Sequence, residues 1–213
     1  GYAEGRVATG SIELQNPTTV YNGVDYKLVY DYNYYINKYP DIKAAFNGDE
    51  NATLRHFVEC GMNEGRQGKA SFNVAAYRAN YADLRSAFGR NLKAYYMHYI
   101  GSGYREGRKA TGNGVLKNPV TVYNGVDYSL VYDYNYYISK YSDLKAAFYG
   151  DDTAALRHFV ECGMNEGRQA KDSFNVKKYK NRYNDLQNAF GNDLKSYYMH
   201  YIGSGYKEGR KGN

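Results

Sequence analysis

The chain has no tryptophan, and its 213 residues include only 3 prolines, 2 cysteines, 4 histidines and 4 methionines. So little proline excludes collagen-like and proline-rich disordered classes. Two cysteines are too few to staple a small disulfide scaffold. No apolar run approaches the roughly 18 residues that a membrane-crossing helix needs, so no membrane insertion is expected. Neither charge sign dominates: 28 Lys+Arg against 22 Asp+Glu leave +6, spread evenly along the chain. Lysine and arginine form no stripe and no nucleic-acid recognition motif is present, so nucleic acid is not an expected partner. What the chain has in excess is tyrosine, with 28 copies beside 8 phenylalanines. Tyrosine joins a flat apolar face to a hydroxyl, which suits a polar ligand or a wet, half-buried packing surface.

Self-similarity sets the organisation. Residues 1–111 align without a gap on 103–213, with roughly 80 of the 111 positions identical. Gly1-Tyr2-Ala3-Glu4-Gly5-Arg6 falls on Gly103-Tyr104-Arg105-Glu106-Gly107-Arg108, so 1–6 reads as the tail of a preceding copy and the chain as part of a larger multidomain protein. A weaker period of 42 residues lies inside each long unit: 30–66 aligns with 72–108, and 132–168 with 174–210. The shared positions in the first copy are Tyr30, Asp31, Tyr35, Tyr39, Asp41, Ile42, Ala45, Phe46, His56, Phe57, Gly61, Glu64, Gly65 and Arg66.

Each short copy predicts two helices. Asp31, Asn73, Asp133 and Asn175 are good N-caps. Tyr35 and Tyr39 follow at i and i+4, and Pro40-Asp41 is placed to kink or restart the helix before Ile42, Ala45 and Phe46. Leu54, Phe57, Val58 and Gly61 make the apolar stripe of a second helix, with Gly61 or Gly65 as its left-handed stop. Neither helix buries its stripe alone, so copies must stack on neighbours. The stretches 17–29 and 119–131 each hold Asn-Gly between β-branched and aromatic residues, a hairpin signal. Thr9-Gly10 and Thr111 to Gly114 read as linkers. The expected fold is mainly α: four tandem helical hairpins in two units, 7–108 and 109–213, each unit preceded by a short β-hairpin.

The recurring Tyr-Asp, Tyr-Tyr, Asp-Leu, His-Phe, Gly and Glu-Gly-Arg pattern resembles the tandem repeats of large secreted bacterial proteins. The form with a leading Tyr-Asn-Gly-Val-Asp-Tyr (21–26 and 123–128) is similar to modules of gut Firmicutes that sit beside cell-wall hydrolases such as lysozyme-like muramidases and amidases, or in surface proteins. The resemblance covers almost the whole chain. It implies an extracellular, secreted or wall-associated, non-catalytic attachment region whose partner is a glycan or bacterial cell-wall polymer such as peptidoglycan. It assigns no ligand contact to any residue. Copy one keeps the Pro-Asp of those repeats at Pro40-Asp41, and the others read Ala82-Asp83, Ser142-Asp143 and Asn184-Asp185.

No catalytic constellation appears. Ser71, Ser102, Ser173 and Ser204 lack a nucleophile-elbow setting. The loop acids Asp49, Glu50, Asp151 and Asp152 are read as favourable charge before a helix rather than as a glycosidase pair. His56, His98, His158 and His200 recur once per copy without metal-ligand spacing, so neither metal nor cofactor is expected. Their expected role is structural, bonding the backbone or the Glu-Gly-Arg turn. The turns Glu64/Arg66, Glu106/Arg108, Glu166/Arg168 and Glu208/Arg210 are read as helix stops whose charges pair with the next copy, against the alternative of gripping an anionic sugar. Cys60 and Cys162 are expected to be small buried thiols, opposite Ser102 and Ser204 of the even copies.

The tyrosines divide. Tyr35, Tyr39, Tyr77, Tyr81, Tyr137, Tyr141, Tyr179 and Tyr183 occupy positions fixed in every copy and are expected in the core. Tyr32, Tyr34, Tyr134 and Tyr136 align with Val, Ala or Lys, and Tyr95 and Tyr197 with Thr53 and Ala155. Such tolerance predicts exposure. With hairpin residues Tyr21, Tyr26, Tyr123 and Tyr128 they are the candidate glycan platforms, neighboured by Asn22, Asp25 and Asn33. The competing expectations are packing of hairpin against helix, and a structural spacer or protein–protein adhesion repeat without glycan binding.

Overall fold

The computed structural model describes residues 13–213. The segment 1–6, the Glu4/Arg6 turn and the Thr9-Gly10 linker lie outside the described residues. By contacts the chain forms two compact units: the first holds described residues up to Asn80 and Phe88–Gly114, the second Tyr81–Ala87 and Val115–Asn213. Both are mainly helical.

Each unit contains one two-stranded hairpin. Val20–Tyr21 pairs antiparallel with Val24–Asp25, and Val122–Tyr123 with Val126–Asp127. Asn22 and Gly23 both take positive φ, 46° and 77°, as do Asn124 and Gly125 at 48° and 78°. That is the turn whose twist matches a two-residue hairpin, and it explains Asn-Gly at both places.

The helical copies follow, each in three segments rather than the expected two. In copy one these are Tyr32–Lys38, Pro40–Phe46 and Glu50–His56, the last running on through Phe57–Gly61 to Met62–Glu64. Copy two has Val74–Asn80, Ala82–Phe88 and Leu92–His98, and the same order recurs after Tyr134 and Val176. Side chains of Asp31, Asp133 and Asn175 cap their first helices by accepting from the amide three residues on, and Asn73 accepts from the Ala76 amide at 3.0 Å.

The first helix stops at Tyr39, where the backbone is extended (φ −119°, ψ 101°), and the same break falls at Tyr141 and Tyr183. Proline is therefore not its cause. Tyr39 Oη accepts from the Gln67 amide at 2.8 Å while the Arg66 guanidinium lies 5.0 Å from its ring centroid. Tyr183 does the same with the Lys211 amide and Arg210. The break turns this tyrosine onto the Glu-Gly-Arg turn, a tertiary contact overriding helix propensity.

In the third segment, residues Phe57–Gly61, Tyr99–Gly103, Phe159–Gly163 and Tyr201–Gly205 each widen into a π turn. The extra residue per turn brings both Gly61 and Met62 inward. A Cβ on Gly61 would stand 2.6 Å from Tyr35 Oη, and one on Gly103 2.1 Å from Tyr77 Oη, so only glycine fits. The left-handed stop is Gly65, at φ 75°.

Each copy then closes on its own start. The Asp31 amide donates to the Gly68 carbonyl, Asn73 to Ala110, Asp133 to Ala170 and Asn175 to Gly212, all at 2.8–2.9 Å. Within the first unit a file of rings joins the copies: Tyr30–Phe57 (5.0 Å), Phe57–Tyr96 (5.8 Å), Tyr96–Phe72 (5.0 Å) and Phe72–Tyr99 (4.8 Å). Tyr96 Oη donates to the Arg66 carbonyl and Lys93 Nζ to the Val58 carbonyl. The second unit repeats the file through Tyr132, Phe159, Tyr198, Phe174 and Tyr201. Offset and edge-on aromatic pairs of this kind contribute about 0.5–1.5 kcal/mol each beyond area burial.

Candidate functional site

Six of the ten tyrosines expected at the surface are in the core. Tyr32 and Tyr134 are 0% and 2% exposed, and their hydroxyls accept from the amides of Gly48 and Gly150. Tyr95 and Tyr197 are fully buried and donate to the carbonyls of Gly89 and Gly191. Tyr26 and Tyr128 are each 4% exposed. The inference from substitution fails for a physical reason. A tyrosine that reaches the loop before the third segment fills space and ties that loop, and a copy with valine, alanine or threonine there closes the loop by other contacts. None of the six offers a ring face.

Tyr21, Tyr34, Tyr123 and Tyr136 are half-buried, with part of each ring in solvent. Helix Tyr32–Lys38 places Lys38 one turn beyond Tyr34, at i+4. Lys38 Nζ donates to Tyr34 Oη at 3.0 Å and to Gln67 Oε1 at 2.5 Å, standing 5.3 Å from the Tyr34 ring centroid. The second unit builds the same triad: Lys140 Nζ donates to Tyr136 Oη at 2.9 Å and Gln169 Oε1 at 2.7 Å, 5.1 Å from the ring. In the first unit a shallow groove along this helix is lined by Asn33, Tyr34, Asn37 and Lys38. It offers one ring face beside the Lys38 ammonium. Lys38 and Gln67 were absent from the sequence candidates, although a lysine four residues after an aromatic was signal enough.

On the hairpins, Tyr21 Oη donates to Glu59 Oε1 and Tyr123 Oη to Glu161 Oε1, each at 2.5 Å. That bond to a carboxylate raises both phenol pKa values, since ionisation would set two negative charges side by side. A second cleft beside the first hairpin is lined by Val20, Tyr21, Asp49, Asn51, Ala52, Leu54 and Arg55. The expected polar neighbours serve the chain itself. Asn33 exchanges two hydrogen bonds with the Leu14 backbone, and Asp25 accepts from Thr19 Oγ1 and the Lys27 amide.

The histidines bond neither the backbone nor the Glu-Gly-Arg turn through Nδ1. That atom pairs with the hydroxyl of the copy's own first-helix tyrosine: Tyr35–His56 at 3.2 Å, Tyr77–His98 at 2.9 Å, Tyr137–His158 at 3.1 Å and Tyr179–His200 at 2.9 Å. Burial pushes the pKa of Tyr35, Tyr137 and Tyr179 well above the ordinary phenol value. These four tyrosines are in the core as expected, while Tyr39, Tyr141 and Tyr183 are half-buried at the turn and Tyr81 is half-buried.

The turn arginines form ion pairs within their own copy rather than the expected pairs with the next. Arg66 bridges Glu64 and Asp41, Arg168 bridges Glu166 and Asp143, and Arg210 bridges Glu208 and Asp185; Arg108 pairs with Glu106. The recurring spacing of aspartate and arginine thus forms a clasp across the copy at Asp41–Arg66, Asp143–Arg168 and Asp185–Arg210. Its arginine bond holds each of Asp41, Asp143 and Asp185 below the usual carboxylate pKa. Cys60 and Cys162 are exposed free thiols rather than buried ones, because the π turn that brings Gly61 and Met62 inward leaves the preceding residue outward. Among the described residues, no three His, Cys, Asp or Glu side chains converge.

Comparison with models of protein families, with curated proteins and with solved structures finds no match to the chain. The functional reading therefore rests on geometry.

Proposed function

We propose that the chain is a non-catalytic attachment module that binds a glycan, of the kind found in bacterial cell-wall polymer, and so holds a secreted protein at its surface. The observation that carries the reading is the Tyr34–Lys38–Gln67 triad and its repetition as Tyr136–Lys140–Gln169. A sugar presents an axial C–H face to a ring and hydroxyls to polar groups beside it, and each triad supplies both. One such platform binds weakly. Two on one chain make the second contact intramolecular, which raises avidity by about 10²–10⁴ where geometry permits both.

The test is co-sedimentation with purified cell walls and with mucin. Retention that falls at least tenfold on Tyr34→Ala plus Tyr136→Ala, with the fold unchanged by circular dichroism, supports glycan attachment. Equal retention of the double variant refutes the platform assignment. The burial of Tyr26, Tyr32, Tyr95, Tyr128, Tyr134 and Tyr197 favours a second reading, a spacer or protein–protein adhesion repeat in which tyrosine is mostly core. No retention on any wall or mucin preparation selects that reading.

A further inference from the structure

Helix Asp152–His158 opens on a carboxylate that is 2% exposed. Asp152 Oδ2 accepts from the Val120 amide at 3.0 Å and lies 3.3 Å from Arg85 Nε, each side chain being 3% exposed. Arg85 Nη2 also donates to the carbonyls of Lys117 (2.7 Å) and Asn118 (3.2 Å). Residues 81–87 belong to the second unit, so that unit contains a complete guanidinium receptor of one carboxylate and two carbonyls. The backbone that presents the carbonyls turns through Asn118 at φ 48°. A planar guanidinium, with donors along two edges, fits such a receptor where a lysine would serve one acceptor at a time.

The first unit repeats the carboxylate and the turn of this receptor. Glu50 aligns with Asp152, and its Oε2 accepts from the Thr18 amide at 2.6 Å, the counterpart of the Val120 bond. Asn16, the counterpart of Asn118, takes φ 52°, which preserves the turn. Among the described residues, however, no lysine, arginine or histidine pairs with Glu50. The surroundings are uncovered to match: Leu14 and Glu50 are half-buried and Gly48 exposed, whereas Leu116, Asp152 and Gly150 are all buried.

The two long units also differ most where such a helix would come from. Copy two carries Ala76, Arg78, Ala79, Ala82 and Arg85, and copy four has Lys178, Lys180, Asn181, Asn184 and Gln187 at the same places. Of these, Arg85 is buried within the second unit, while its counterpart Gln187 is half-buried and Asn184 exposed. The repeat therefore exists in a version whose arginine is seated on Asp152 and a version with glutamine at that place.

We propose that the face around Glu50 is a docking site for the arginine-bearing helix of a further copy of this repeat, seated as residues 81–87 are on Asp152. The occupant is defined by its chemistry: a short helix that carries a guanidinium at the position of Arg85. This does not depend on glycan binding.

A duplicate of residues 72–102 placed ahead of Gly1 continues the repeat in register, because 1–12 aligns with 103–114. Urea unfolding of this extended chain and of the 213-residue chain is compared with and without Glu50→Gln. The substitution is expected to lower the folding constant of the extended chain about tenfold or more beyond its effect on the original. Arg→Gln at the added counterpart of Arg85 should cause the same loss, and both changes together no more than either. In the original chain, N-acetylarginine amide should shift the Thr18 amide resonance saturably, N-acetyllysine amide should not, and Glu50→Gln should abolish the shift. Equal cost of Glu50→Gln in both chains, additive costs, or no arginine-specific shift overturns the proposal.

Discussion

Among the described residues, two buried tyrosines carry a hydroxyl with nothing to bond. Tyr30 and Tyr132 are each 1% exposed, and neither hydroxyl oxygen has a hydrogen-bond partner. Burial pushes both phenol pKa values far above the ordinary one. The even copies put Phe72 and Phe174 at the same place, packed in the same way: Phe72 lies 5.6 Å from Tyr77, and Tyr30 lies 5.8 Å from Tyr35. The ring is therefore needed and the oxygen is not. A buried hydroxyl left unmet costs about 1–3 kcal/mol, and removing it leaves a void of one atom, which takes back part of the gain. Tyr30→Phe is expected to stabilise the chain by about 1 kcal/mol, and Tyr132→Phe by the same. For a chain of this size that is an upward Tm shift of about 2–4 °C for each substitution. Tyr35→Phe should move the other way. It removes the bond to His56 and leaves a ring nitrogen unpaired, at a cost of about 1–2 kcal/mol. Thermal and urea unfolding of the three single variants decide it. A loss of 1 kcal/mol or more in Tyr30→Phe would mean that the hydroxyl is satisfied, by buried water for example, and the reasoning from the even copies would fall.

The π-turn glycines give a steric test. Gly61→Ala and Gly103→Ala should each cost about 1–3 kcal/mol, while Gly101→Ala, which meets nothing within 4 Å, should be neutral or stabilising in the same urea titration. The clasp aspartates give a pH test. Asp41, Asp143 and Asp185 have folded pKa values below the unfolded value of 3.8. Their contribution is thus fully present above that value and is lost as pH falls through the folded one. Unfolding midpoints should drop below pH 4 more steeply in the wild type than in Asp41→Asn plus Asp143→Asn plus Asp185→Asn, and high salt should narrow the difference because the pairs are exposed. Equal slopes would refute a role for the clasp. Arg85→Gln strands a buried carboxylate and should cost about 3 kcal/mol or more, with Asp152→Asn added on top recovering part of it.

Periodicity made much of this architecture legible. The Asn-Gly hairpins, the side-chain caps and the left-handed Gly65 are local, so each could be read from neighbouring residues. What sequence reasoning missed depends on contacts distant along the chain. The break at Tyr39 exists because the tyrosine bonds the Gln67 amide, and the widening at Phe57–Gly61 because Gly61 sits against Tyr35 Oη. Once that turn widens, the outward and inward positions after Phe57 shift, which is why Cys60 was placed on the wrong side. Burial of tyrosine was the hardest to read. Positions that also accept valine, threonine or alanine read as exposed, yet Tyr32 and Tyr95 reach backbone groups of a nearby loop that a smaller residue simply leaves to other partners. For the same reason the surface triad of Tyr34, Lys38 and Gln67 was half seen: its ring was a candidate, and its lysine and amide, which come from two segments, were not.

The central claim is that one helical copy, though closed on itself by the Asp31–Gly68 bond, holds its fold only against its neighbour through the Phe57–Tyr96 contact. The most direct measurement is far-UV circular dichroism with urea titration of residues 30–71 alone beside the whole chain. A largely unfolded single copy and a helical whole chain that melts cooperatively are expected. A cooperative transition in residues 30–71 by themselves would contradict it.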